Sequence, residues 1–169
     1  DRIRFQGKEL PAYLHLPREP SPGETFPCVV NIPGMDSSKE TGVNMYGDPY
    51  LQRGIAVLSI DGPGQAESVS LGIYVTNSNH MDAAKVVVDW LVSHPVIDSS
   101  KLLVRVSSFG TYCGLQWAKK LTSACENRRT TAGAYVLARI RNGLTLRSHL
   151  EWPLPDEHDD GMSGPDISD

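Results

Sequence analysis

No apolar run in this 169-residue sequence approaches the roughly 20 residues that a helix needs to cross a bilayer, so no membrane span or membrane partner is expected. Basic surplus is missing too. Sixteen Lys and Arg stand against twenty Asp and Glu, giving a net charge of −4 and no broad positive field, which argues against nucleic acid as a partner. Cysteine is scarce and odd in number. Cys28, Cys113 and Cys125 lack CxxC spacing and read as reduced core thiols, not as a disulfide framework, a metal site or a redox pair. Neither GxGxxG nor GxxxxGK[ST] occurs, which weighs against a nucleotide-binding doubly wound domain. No metal or cofactor is called for. The chain opens Asp1-Arg2-Ile3-Arg4 without a Met or an apolar leader, which reads as processing or as a cut within a longer protein, and a cytoplasmic location is the expectation.

What is present is ordinary globular composition, 40% hydrophobic and 21% charged, in a length suited to one domain. Residues 3–5 and 12–16 flank Gln6-Gly7-Lys8-Glu9 and suggest an opening hairpin. Pro17, Pro20, Pro22 and Gly23 then mark a surface loop. Beyond it the pattern changes to continuous apolar runs at 28–32, 55–60 and 102–106, as expected of strands covered on both faces. Between the last two, residues 80–93 place Asp82, Lys85, Asp89 and Ser93 opposite Ala84, Val87, Val88 and Leu91, the spacing of an amphipathic helix. Asn79 is the expected cap and Pro95 the stop. A second helix is expected over 112–125 and a strand over 132–138. Strand and helix in alternation predict an α/β fold with a mostly parallel sheet and helices on both faces. Residues 1–139 form the expected domain. Residues 140–169, rich in proline and acidic side chains towards the end, are expected to be a mobile extension.

The chemistry concentrates where a buried strand ends in Val106-Ser107-Ser108-Phe109-Gly110 and passes into a helix. A tight strand-to-helix turn of the Gly-x-Ser-x-Gly kind lifts a serine above the sheet as a nucleophile, and the register selects Ser108. Val106 occupies the first glycine position, a departure, since the turn favours small residues there. The amide of Phe109 is placed to donate to an oxyanion. The competing reading of this segment is that Ser107 and Ser108 simply cap the following helix. A second loop, Asn31-Ile32-Pro33-Gly34-Met35-Asp36, follows the first buried strand, where the amide of Met35 can complete an oxyanion hole.

Pro33-Gly34-Met35-Asp36-Ser37-Ser38-Lys39-Glu40, Ile60-Asp61-Gly62-Pro63-Gly64-Gln65-Ala66-Glu67-Ser68, and His94-Pro95-Val96-Ile97-Asp98-Ser99-Ser100-Lys101 leading into Ser-Ser-Phe-Gly resemble, in this order, the α/β-hydrolases of the FrsA-like group. That group also resembles 2,6-dihydropseudooxynicotine hydrolases and fungal pigment-pathway hydrolases. The match runs from about residue 10 to 125. It implies an α/β-hydrolase fold, here a partial domain cut short after the nucleophile helix, and a serine hydrolase acting on a small acyl or ketone substrate. The bond cleaved is a carboxylic ester or a carbon–carbon bond next to a ketone. By position Ser108 matches the nucleophile, and Met35 and Phe109 match the oxyanion donors. Asp61 and Asp98 match recurring turn residues with no catalytic role.

A serine hydroxyl needs an imidazole held by a carboxylate, and in such folds both follow the nucleophile. Two histidines do: His149, with an apolar neighbour, and His158, within Asp156-Glu157-His158-Asp159-Asp160. Both are candidate bases, and the acid is not identified. The carboxylates around His158 lack a metal-ligand spacing. Activity of this chain by itself is open. The alternative is a non-catalytic α/β-hydrolase-like binding or interaction module, suggested by Val106 and by the missing downstream half of the resembling fold, and an open sheet edge would favour association into a homo-oligomer.

Overall fold

The computed structural model describes residues 2–42, 48–108, 110, 114, 117 and 135–139. Its centre is a six-stranded sheet in the order β1-β2-β4-β3-β5-β6, formed by β1 (Arg2–Phe5), β2 (Lys8–His15), β3 (Phe26–Ile32), β4 (Ala56–Ile60), β5 (Ile97–Ser107) and β6 (Tyr135–Arg139). The first two strands make the expected hairpin. Gln6 and Gly7 both take positive φ, 49° and 76°, the tight turn whose twist suits paired antiparallel strands. β2 is antiparallel to β4, while β3, β4, β5 and β6 run parallel, so the sheet is mostly parallel as the continuous apolar runs require.

Alternation along the strands divides the core between two faces. Cys28, Val30, Ile32, Leu58, Ile60, Leu102, Val104 and Val106 join Ile3, Phe5 and Trp117 in the larger cluster. Helix α4 (Asn79–Ser93) covers that face with Ala83, Ala84, Val87, Val88 and Leu91, all buried. On the opposite face Val29, Val57 and Leu103 pack with Ile55 and with Tyr50 and Leu51 of α2 (Asp48–Leu51). Two other short helices, α1 (Lys39–Gly42) and α3 (Ala66–Ser70), follow β3 and β4. None of the described helices is long and apolar enough to cross a membrane.

Asn79 does not cap α4. It lies inside the first turn, buried, where its Oδ1 accepts from the Thr76 amide at 2.9 Å while its own amide donates to Thr76 Oγ1 at 3.3 Å. This reciprocal pairing at a three-residue spacing is of the capping-box kind, with Thr76 as the outer member. Asn79 Nδ2 also donates to the Tyr74 carbonyl at 2.7 Å, fastening residues 74–76 to the helix. β6 (Tyr135–Arg139) overlaps the strand expected over 132–138, of which residues 132–134 lie outside the described residues. Of the helix expected over 112–125, Gly114 and Trp117 are described and are helical, as is Gly110 before it; the expected extension 140–169 lies outside the described residues.

Candidate active site

Three loops leave the C-terminal ends of adjacent parallel strands: residues 33–38 after β3, residues 61–65 after β4, and the turn after β5 that carries Ser108. Ser108 is exposed and has φ 50°, the left-handed region that costs a side-chain-bearing residue about 1–3 kcal/mol. Two contacts hold this bend against the first loop. A methyl group added at Gly34 would lie 3.2 Å from Ser108 Cβ. One added at Gly110 would lie 2.7 Å from the Pro33 carbonyl oxygen and 2.8 Å from that of Ile32, closer than real carbon contacts allow. Bare backbone at position 110 therefore lets the start of the following helix lie directly on the end of β3, which brings Gly34 up against Ser108.

Val106 is accommodated from the far side of that turn. It is fully buried, and a methyl on Gly114 would meet its Cβ at 3.1 Å and its Cγ2 at 3.2 Å, with Cγ1 nearer still. The small residue expected on the strand thus stands on the helix, eight residues on, and the space between strand and helix is filled by the valine.

Met35 sits next to Gly34 with its side chain 62% exposed, and its amide has no hydrogen-bond partner among the described residues. The loop backbone around it is held from below by the segment after β4. Gln65, buried, donates from Nε2 to the Pro33 carbonyl at 2.7 Å and the Gly34 carbonyl at 3.3 Å, and its Oε1 accepts from the Gly62 amide at 2.9 Å. Asp61, read from sequence as a turn residue, is fully buried and ion-paired to Lys39, itself buried in α1, at 3.3 Å. Neither Gln65 nor the Lys39–Asp61 pair was expected. The available signal was polar: Asn31, Ser59 and Arg105 interrupt three apolar runs, and they prove to lie side by side in register. Arg105 Nη1 donates to Asn31 Oδ1 at 2.9 Å, and Asn31 Nδ2 donates to Ser59 Oγ at 3.4 Å.

Of the histidines, His80 is the one brought to this end of the sheet among the described residues. Its Cε1 lies 3.3 Å from where a Gly62 side chain would begin. It is buried, neither ring nitrogen meets a hydrogen-bond partner among the described residues, and burial lowers its pKa. His15 pairs with Val57 near the start of β4, and His94 follows the end of α4 against Trp90, so both lie towards the opposite end of the strands. Asp98, expected as a turn residue before the strand, lies instead inside β5, where its carboxylate accepts from the amide and hydroxyl of Ser100 at 3.0 and 2.5 Å. Phe109, His149 and His158 lie outside the described residues. Among the described residues no group of three His, Cys, Asp or Glu side chains is placed to hold a metal.

The sequence matches the family model described as "Esterase FrsA-like" over residues 2–160. It is 30% identical over 122 residues to the 2,6-dihydropseudooxynicotine hydrolase of Paenarthrobacter nicotinovorans, covering 72% of this chain and 30% of that protein. It is 31% identical over 121 residues to the alpha/beta hydrolase pydG of an Acremonium species, covering 67% of this chain and 28% of that protein. Among solved structures it is similar to a 2,6-dihydroxy-pseudo-oxynicotine hydrolase, with a TM-score of 0.61 and 27% identity over 70% of this chain and 32% of that one. The chain thus spans less than a third of the length of these relatives. With the mixed sheet and the three loops at its C-terminal edge, these matches show that the chain belongs to the FrsA-like esterase family of α/β-hydrolases.

Proposed function

We propose that this protein is a serine hydrolase in which Ser108 is the nucleophile and the amides of Met35 and Phe109 form the oxyanion hole. The observation that carries the reading is the strained φ of Ser108, held at the C-terminal edge of the sheet directly against Gly34. In the proposed reaction Ser108 Oγ attacks the carbonyl carbon of a small acyl or ketone substrate and gives its proton to an imidazole. The carbonyl oxygen takes up the negative charge and is met by two amide hydrogens. Collapse of the tetrahedral adduct expels the alcohol of an ester, or the carbanion next to a ketone in a carbon–carbon cleavage, and the imidazole returns the proton to that leaving group. Water then releases the acyl group from Ser108. His149 and His158 are the proposed bases. A reducing, cytoplasmic setting is part of the same reading and fits Cys28, a free thiol whose burial pushes its pKa up to about 12.

The alternative, a non-catalytic binding module, rests in part on Val106 in a glycine position, and the room that Gly114 leaves for that valine supports the hydrolase reading instead. The test is labelling by a fluorophosphonate probe beside turnover of p-nitrophenyl butyrate. Ser108→Ala is expected to abolish labelling and to lower turnover by about 10⁴-fold or more. Labelling that persists in Ser108→Ala, or turnover within a few-fold of the parent, would refute the assignment.

A further inference from the structure

We propose that Lys39 is a positioning residue for the candidate active site, pinning the loop after β3 to the segment after β4 and so holding the Met35 amide beside Ser108. The inference rests on the hydrolase reading above for its functional meaning, and on independent contacts for its geometry. Lys39 grips one carboxylate twice: its backbone amide donates to Asp61 Oδ1 at 2.7 Å and its ammonium to Asp61 Oδ2 at 3.3 Å. The ammonium also meets Glu67 Oε2 at 2.5 Å and Glu40 Oε1 at 2.7 Å, so its three hydrogens face three carboxylates. The Lys39 carbonyl accepts from Ser59 Oγ at 2.7 Å, which joins the pin to the polar row Ser59–Asn31–Arg105 across β4, β3 and β5.

The placement of these contacts gives them a purpose beyond stability. Residues 61–67 hold the loop on both sides of Met35: Gln65 takes the carbonyls of Pro33 and Gly34, and Asp61 and Glu67 take Lys39. Met35 itself is largely exposed, so its own side chain does little to fix its backbone. A hydrophobic residue at position 39 would stabilise a buried site as well as an ion pair does, but it would not set direction. Hydrogen bonds from both the amide and the ammonium of one residue to one carboxylate do. The charge is secure, because burial lowers the Lys39 pKa but is outweighed by Glu40, Glu67 and Asp61, which together raise it well above the usual lysine range.

The experiment compares the intact protein with Lys39→Met/Asp61→Asn, which removes both buried charges, and with Lys39→Arg, which keeps them. Each is measured for thermal unfolding, for kcat and KM on p-nitrophenyl butyrate, and for amide hydrogen exchange over residues 33–39. In the double variant kcat is expected to fall about 10- to 100-fold, less than on deleting an oxyanion donor outright, with KM little changed. Exchange over 33–39 is expected to accelerate while β3 and β5 stay protected, and Lys39→Arg is expected to recover part of kcat. If the double variant does not fold, Glu67→Gln, which leaves the Lys39–Asp61 pair intact, shows the same two effects in smaller measure. Parental kcat together with parental exchange in a folded double variant, or in Glu67→Gln where that variant is the one measured, overturns the proposal. A parent protein that neither labels nor turns over ester, yet whose 33–39 exchange accelerates on substitution, keeps the pin and removes only the hydrolase reading.

Discussion

Replacing Gly114 by alanine isolates the compensation that lets a valine stand beneath the Ser108 turn. In an exposed helix this change stabilises by about 1 kcal/mol, because glycine is the poorer helix former. Here the new methyl would meet Val106 Cβ at 3.1 Å and Cγ2 at 3.2 Å, with Cγ1 closer still. Rotating χ1 of Val106 moves the two methyls but leaves Cβ in place, so no rotamer relieves the contact, and strand or helix must shift. Overpacking of this kind costs about 1–3 kcal/mol, and the upper end applies to a fully buried, β-branched neighbour. Set against the helix gain, Gly114→Ala is expected to destabilise by about 2 kcal/mol. In a Val106→Gly background, which removes Cβ and both methyls, the same substitution has room and is expected to be neutral or stabilising by up to about 1 kcal/mol. The two positions should therefore couple by about 2–3 kcal/mol in a double-mutant cycle. Urea denaturation of the four proteins, followed by tryptophan fluorescence and circular dichroism, measures this directly, provided the m-values agree. Equal effects of Gly114→Ala in both backgrounds would refute the compensation, as would a stabilising effect in the parent.

Two further outcomes follow from the contacts around the loops. Gln65→Met keeps the volume but leaves the Gly62 amide and the Pro33 and Gly34 carbonyls without their partner, and is expected to cost about 3 kcal/mol in the same urea assay; a loss under about 0.5 kcal/mol would contradict its structural role. Glu40 has its pKa lowered from 4.5 to about 2, first by the Lys39 ammonium and then by Ser38. A carboxylate lowered in the folded state adds stability above its unfolded pKa that is lost as the pH falls towards the folded one. The stability difference between the parent and Glu40→Gln should therefore be constant above about pH 5 and shrink between 4.5 and 2. A difference that does not vary with pH over that interval would show that Glu40 takes no part in the cluster.

Much of the fold was legible because burial on both faces leaves continuous apolar runs, and β3, β4 and β5 stand where those runs lie. Helix α4 was legible from its period, although its cap was not, since the 74–76 segment that recruits Asn79 has no pattern of its own. The three shortest of the described helices have four or five residues each, too few for any period to register. The position of Ser108 was legible from a strand ending in Ser-Ser-x-Gly, and that of Met35 from a loop following a buried strand. What surrounds them was not. Lys39 and Asp61 are 22 residues apart, and Val106 and Gly114 meet across a strand and a helix, so neither relation leaves a mark in local spacing.

The strand order has a final consequence. Leaving β3, the chain steps to β4 on one flank, and then, by way of α4, leapfrogs β3 to lay down β5 on the other. The backbone that emerges above β4 and the backbone that emerges above β5 accordingly part to left and right of the segment rising from β3, as in other open α/β sheets where such a reversal opens a crevice. The meeting place of these three segments is thus a product of winding direction. Side chains there can be exchanged for others while the meeting place itself remains, so chemistry can diversify at a point that the path of the polypeptide has already fixed.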